Sequence, residues 1–180
     1  LQRTKANPGK FSYGSSGEVT SLHLAGAMVK EQAGVFITHI PYRGVAPLAN
    51  DLLGGNLEYG VFVLSSGLPH IKSGKVVALG TTEAKRSAVT PDIPALAEHP
   101  ALKGIDMGTW FVLMGPAKMP EPVVARLKKA LADTLQSPDF RKKMEAASST
   151  VPTTPVDIQK FLVDETAKYQ KIVDFAKIKE

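Results

Sequence analysis

The stretch FSYGSSGEVTSLHLAGAMVKEQAGVFITHI, residues 11–40, decides the fold. Residues 11–15 have the aromatic-rich composition of an extended segment, and the chain then passes through Ser15, Ser16 and Gly17, the small residues of a turn. Beyond it Val19, Leu22, Ala25, Met28 and Val29 recur at helical spacing, and Gly34 stands where a glycine closes a helix. Residues 35–40 return to β-branched and aromatic character. A strand, a helix and a second strand in immediate succession argue for an α/β sheet.

Working outward, residues 57–64, 76–82 and 109–114 have the composition of further strands. Between the last two, residues 88–108 carry Pro91, Pro94, Pro100 and Gly104, which predicts little regular structure and a lobe boundary or hinge at their end. After Met114 helix follows helix. Pro120-Glu121-Pro122 opens the first and Ser137-Pro138 caps the second. The third is predicted to start with Thr154 as N-cap, Pro155 in the first turn and Asp157 placed to meet free N–H groups. Its Ile158, Phe161, Leu162, Tyr169, Ile172, Val173 and Phe175 form an apolar face that needs something to pack on.

Composition removes several function classes. A chain of 180 residues, 43% hydrophobic and 22% charged, can build a core and lacks the signature of disorder. The 22 Lys and Arg against 17 Asp and Glu leave a formal charge of +5. The tight basic clusters, Lys85-Arg86 and Arg141-Lys142-Lys143, are not interleaved with the aromatics that stacking on single strands requires, so they read as solvated surface and no nucleic-acid partner is expected. The absence of cysteine excludes disulfides, thiolate zinc sites and cysteine nucleophiles. No apolar run approaches the roughly 20 residues that cross a bilayer, so no membrane insertion is expected. Leu1-Gln2-Arg3-Thr4-Lys5 is not followed by a signal-peptide core, and the chain as given carries no address. His23, His39, His70 and His99 lack paired ligand spacing, and neither phosphate-loop fingerprint is present. No metal and no cofactor are expected.

Two junctions remain as candidate sites. In the first, Tyr13-Gly14-Ser15-Ser16-Gly17-Glu18-Val19-Thr20-Ser21-Leu22-His23, a strand gives way to a helix start whose free N–H groups and dipole suit a carboxylate or phosphate. The same residues also suit a plain capped turn that holds no ligand. Gly14-Ser15-Ser16 begins like a nucleophile elbow, but Glu18 stands where the second glycine belongs. A hydrolase using Ser16, with His39, His70 or His99 as base, is therefore the minor alternative. In the second junction, running from Thr38-His39-Ile40-Pro41-Tyr42-Arg43-Gly44-Val45-Ala46-Pro47 to Gly54-Gly55, another strand ends and Pro47 lies in the first turn of a short helix. Two such helix starts after two strands of one sheet can converge at its carboxyl edge. Arg43 can add charge there or face solvent, and Tyr42 can line the site or join the core.

These motifs resemble, in order and spacing, the Bug receptors of the tripartite tricarboxylate transporter receptor family. The resemblance runs through Asn7-Pro8-Gly9-Lys10, the Tyr13–Gly17 turn with His23-Leu24-Ala25-Gly26, Pro41-Tyr42-Arg43-Gly44 and Asp51-Leu52-Leu53-Gly54-Gly55. It continues in Leu68-Pro69-His70-Ile71-Lys72-Ser73-Gly74-Lys75, Ala84-Lys85-Arg86-Ser87, Pro91-Asp92-Ile93-Pro94, Trp110 and Gly115-Pro116-Ala117. It implies a two-lobed type II periplasmic binding protein fold, the Venus flytrap, with one lobe nearly complete and a C-terminal segment of the other. Residues 1–107 then correspond to the second ligand-binding lobe and residues 108–180 return to the first. It also implies a non-enzymatic, periplasmic solute receptor that passes a small mono- or dicarboxylate to membrane transporter subunits. A sensing or interaction module that has lost transport is the alternative.

Carried over by position, the ligand-binding residues are Ser15, Ser16, Gly17, Thr20 and Ser21 in the first turn, Gly44, Val45 and Ala46 in the second, and Thr81, with Thr82 beside it, at a third strand end. Two departures stand out: Val19 where the family commonly has a glycine, and Phe62 where many relatives carry a polar residue. The resemblance places most of the first lobe before Leu1. The apolar face of the last helix is accordingly expected to pack on the remaining lobe, to pair with a second copy in a homo-oligomer, or to be poorly ordered.

Overall fold

The computed structural model describes residues 1–154 and 156–176, with the side chains of Phe175 and Ala176 left out. In chain order the elements are α1 (Gln2–Ala6), β1 (Ser12–Ser15), α2 (Ser21–Ala33), β2 (Thr38–Pro41), α3 (Val45–Leu53), β3 (Tyr59–Gly60) and α4 (Leu64–Lys72). Two short 3₁₀ turns, Leu96–Glu98 and Pro100–Leu102, precede α5 (Glu121–Gln136), α6 (Pro138–Ala146) and α7 (Ile158–Ala176). The strands form one parallel sheet in the order β2-β1-β3. Tyr13 of β1 lies opposite His39 on one side and Tyr59 on the other.

Local chemistry explains the first unit. Thr20 is extended and its hydroxyl accepts from the His23 N–H, which caps α2. Gly34 ends the helix in the left-handed conformation, with its own N–H and that of Val35 satisfying the last carbonyls. The sheet and helix meet closely, since a Cβ built on Gly26 of α2 would collide with the Tyr13 ring. Burial in that contact pushes the Tyr13 hydroxyl up to about 12.

Several expected elements differ. Val35 does not enter a strand, because its N–H closes the helix cap, and β2 starts only at Thr38. The predicted strand 57–64 shrinks to Tyr59–Gly60, with Leu64 opening α4. In residues 76–82 only Thr81 pairs, as an isolated parallel bridge to Ala95, and Val77 and Leu79 are exposed. Residues 109–114 form no strand, and Phe111, Leu113 and Met114 face solvent. Strand propensity is expressed only on a pleated surface with a partner strand beside it, and these segments have none among the described residues. The N-cap of α7 is Asp157 rather than Thr154, since its Oδ1 accepts from Gln159 N–H and Lys160 N–H, each at 3.1 Å. Pro155 and the Phe175 side chain lie outside the described residues. The caps at Gly34 and Ser137 are as expected.

The main core joins α2, the irregular segment and the last helix: Leu24, Ala25 and Met28 pack with Leu102, Ile105, Met107 and Ile172. Of the three fates expected for the α7 face, its Ile172, Tyr169 and Val173 thus take the first, packing on the sheet-bearing part of the chain. Trp110 pins the neighbouring segment, its Nε1–H donating to Glu165 Oε2 at 2.8 Å and its ring meeting Phe161 edge-on. Glu165 is buried and also pairs with Lys168 at 2.6 Å. Removing that cation strands a buried carboxylate, so Lys168→Met is expected to cost about 2 kcal/mol, less than a fully buried pair because Lys168 is partly solvated. Urea unfolding of Lys168→Met beside Lys168→Met/Glu165→Gln checks this, the second change recovering most of the loss.

Candidate functional site

The first and second turns meet at the carboxyl edge of the sheet. β1 and β2 run parallel with Ser15 opposite Pro41, so both chains leave the sheet on the same side. Tyr42 N–H donates to Ser15 O at 2.9 Å and Gly44 N–H donates to Ser16 O at 3.2 Å, which ties the two turns together. α2 and α3 therefore begin side by side, and the first N–H groups of a helix have no partner within it.

Within this arrangement the candidate residues divide. Ser15 is fully buried, donates from Oγ to Gly17 O at 3.0 Å, and lies 2.8 Å from His39 Nε2. Gly17 O accepts a second hydroxyl from Thr20 at 2.9 Å, which fixes the peptide between them. Ser16, Gly17, Thr20, Ser21, Gly44 and Val45 are half-buried and Ala46 is exposed, all of them in the two turns or the helix starts that follow. Thr81 is tied elsewhere: its N–H donates to Pro94 O, its carbonyl accepts from Leu96 N–H, and its buried hydroxyl has no partner among the described residues. Thr82 Oγ1 donates to Met107 O. Their hydrogen bonds join them to residues 94–107 and not to the two turns.

The second turn is braced by Tyr42, whose hydroxyl donates to Asp51 Oδ2 at 2.8 Å across α3 while its ring covers Gly14. Burial, then the Asp51 bond, raises the Tyr42 hydroxyl above its ordinary value. Arg43 is exposed. Phe62 lies over Gly60, where a built Cβ would approach its ring to 2.5 Å, so the aromatic closes the end of β3.

Val19 adopts φ 57°, a left-handed conformation that a β-branched residue rarely takes. It is 57% exposed, so packing does not impose that shape. The conformation is held by its N–H, which donates to His23 Nδ1 at 3.0 Å. Val19→Gly relieves the steric cost and loses some chain entropy, for a net gain of about 1 kcal/mol and a melting temperature raised by about 3 °C. A differential scanning melt measures this directly. Beside the turn lies an open hollow of about 340 Å³ lined by Val19, Ser21, Leu24, Thr109, Trp110 and Tyr169.

The hydrolase reading fails on geometry. The serine that meets a histidine is Ser15 rather than Ser16, and Ser15 has no access to solvent. His23 and His39 are each visible in the sequence but their contact is not, since nothing local signals that a helix residue and a strand residue stack ring on ring at 4.0 Å. Among the described residues no cluster of three metal-ligating side chains occurs, and no helix is long and apolar enough to cross a membrane.

Residues 1–178 match the family described as "Tripartite tricarboxylate transporter family receptor", a family of transporter receptors and not of enzymes. The UPF0065 protein of the tcbD-tcbE intergenic region of Pseudomonas sp. strain P51 is 32% identical over 174 residues, covering 96% of this chain and 52% of its own length. Among solved structures, R. palustris Rpa4515 with adipate superposes with a TM-score of 0.85 at 27% identity, covering 98% of this chain and 59% of that one. Periplasmic binding protein BugD gives 0.80 at 30%, covering 99% and 60%. The chain thus spans a little over half the length of these proteins and carries that part of the periplasmic binding protein fold. It belongs to the tripartite tricarboxylate transporter receptor family.

Proposed function

We propose that this chain forms one side of a solute receptor that captures a small mono- or dicarboxylate in the periplasm for a tripartite tricarboxylate-type membrane transporter. The observation that carries the reading is the Gly44 N–H bond to Ser16 O, which sets two helix starts beside each other at one sheet edge. Together they offer a carboxylate N–H groups from both turns and hydroxyls from Ser16, Thr20 and Ser21, bonds that the ligand's charge strengthens. Ser15 acts from behind by holding Gly17. The hollow walled by Leu24, Trp110 and Tyr169 lies where the carbon stem of a bound acid would run. Rpa4515, the structural relative described above, was solved with adipate.

In the same proposal residues 1–107 are the second lobe and residues 108–180 the segment returning to the first. Exposed Phe111, Leu113 and Met114, and the α5 stripe Val123, Leu127 and Leu131, supply an apolar surface for a first lobe to cover. Any homo-oligomer through α7 would use the flank bearing exposed Ile158 and Val163, and light scattering would detect it. The central test is calorimetry of the whole gene product that carries this chain, titrated with adipate, succinate, malate and monocarboxylates. Binding of at least one acid is expected, with loss on Gly44→Val. Heat from none of them at millimolar concentration overturns the reading.

A further inference from the structure

His23, on the first turn of α2, and His39, on β2, lie face to face with ring centroids 4.0 Å apart and planes within 5° of parallel. The Tyr13 ring of β1 meets His39 at 4.9 Å. Each imidazole makes one directed bond to the ligand-facing turn. Ser15 Oγ lies 3.0 Å from Gly17 O and 2.8 Å from His39 Nε2, so the hydroxyl bridges the imidazole to the turn. Val19 N–H donates to His23 Nδ1, so that nitrogen carries no proton and the His23 hydrogen sits on Nε2. The two histidines thus grip opposite ends of the turn: Ser15 where the strand stops, and strained Val19 just before the helix.

We propose that the stacked His23–His39 pair, in its neutral form, positions the turn from Ser15 to Thr20 for ligand, and that a proton on His23 Nδ1 releases Val19 and loosens the site. A protonated Nδ1 is a donor facing another donor, so the Val19 bond cannot survive, and with it goes what holds a β-branched residue at φ 57°. The ring cannot simply turn away, because His39 covers one of its faces.

The surroundings keep the pair neutral near pH 7. Around His23 stand Glu18 from the turn, Lys30 further along α2 and His39 from β2; around His39 stand His23 and Lys30 from α2 and Tyr13 from β1. Burial lowers His23 below its ordinary value, with Glu18 opposing and Lys30 adding. Burial, then His23 and Lys30, lowers His39 to about 4. Because the unfolded chain takes up these protons first, the stability carried by the neutral pair is intact above the ordinary imidazole value of 6.5 and is lost as pH falls from there toward about 4.

The ligand half of this inference rests on the receptor reading above, whereas the latch itself is tested without ligand. Amide spectra of the ¹⁵N-labelled chain are followed from pH 8 to pH 4.5. The Val19 amide is expected to shift with the His23 midpoint, and its hydrogen exchange, corrected for intrinsic pH dependence, to rise about 10-fold or more. In His23→Asn, whose side-chain oxygen can accept without titrating, the Val19 amide should stay flat. A Val19 amide indifferent to His23 protonation overturns the proposal, and the unmodified chain alone decides this if the variant does not fold. Adipate affinity of the whole gene product, measured from pH 7.5 down through the His23 midpoint that the amide spectra define, should weaken several-fold, and should do so far less in His23→Asn. Affinity flat across that midpoint, with adipate bound, overturns the release step. Failure of every carboxylate to bind at pH 7.5 sinks the receptor reading and leaves the amide result to judge the latch.

Discussion

Gly14→Val is expected to destabilise the chain by about 4 kcal/mol and lower its melting temperature by roughly 10 °C. Gly14 is the third residue of β1 and is buried in the middle of the sheet. A Cβ there would collide with Leu48 and come within 2.7 Å of Leu57 and 2.9 Å of Tyr42. Each neighbour is a flexible tip and could yield alone. Leu48 is fully buried and Leu57 nearly so, while Tyr42 is tethered to Asp51, so all three cannot retreat together. Moving Tyr42 also disturbs the second turn. Gly34→Ala is the control, since no atom lies within 4 Å of its built Cβ and only the left-handed φ of 60° resists, at about 1 kcal/mol. Equal losses in the two variants would show that close approach at Gly14 is not the cause.

The second large effect falls on binding. Gly17→Val is expected to weaken carboxylate affinity of the whole gene product about 100-fold, equivalent to roughly 2.7 kcal/mol, with a smaller thermal penalty than Gly14→Val. Gly17 sits at φ 146°, a conformation that favours glycine, and its carbonyl receives both Ser15 and Thr20 hydroxyls. A valine would rotate that peptide and re-aim the neighbouring amides proposed above to hold the carboxylate. Calorimetry with whichever acid binds the unmodified protein measures the loss, and unchanged affinity would remove this turn from the binding surface.

The parts of this fold that the sequence makes legible are those settled by near neighbours. Gly34 closes α2 through carbonyls three and four residues back, and Ser137 caps α6 through Phe140, contacts that short-range spacing encodes. Strands are harder because their partners are distant. Residues 76–82 and 109–114 have strand composition, yet among the described residues no ladder longer than the single Thr81–Ala95 bridge forms beside them. α1 escapes notice as a single short run, and α4 because Pro69 in its interior argues against a helix. Site chemistry divides in the same way. The two turns are visible as small residues after strands, whereas the contacts that organise them join Ser15 to His39 and Ser16 to Gly44. Those pairs meet only once β1 and β2 are in register, which no local pattern reveals.

The packing of α2 against α7 also governs when the molecule can finish folding. Leu24 and Ile172 share one core although about 150 positions separate them, so the last contact to form closes a loop spanning most of the chain. During synthesis the sheet, its two turns and the contacts of Leu24, Ala25 and Met28 with Leu102, Ile105 and Met107 can assemble first, but the part of that core which Ile172 covers stays open to water until α7 has left the ribosome. α7 thus completes this core, and a chain halted before Ile172 would present a sticky face to its neighbours.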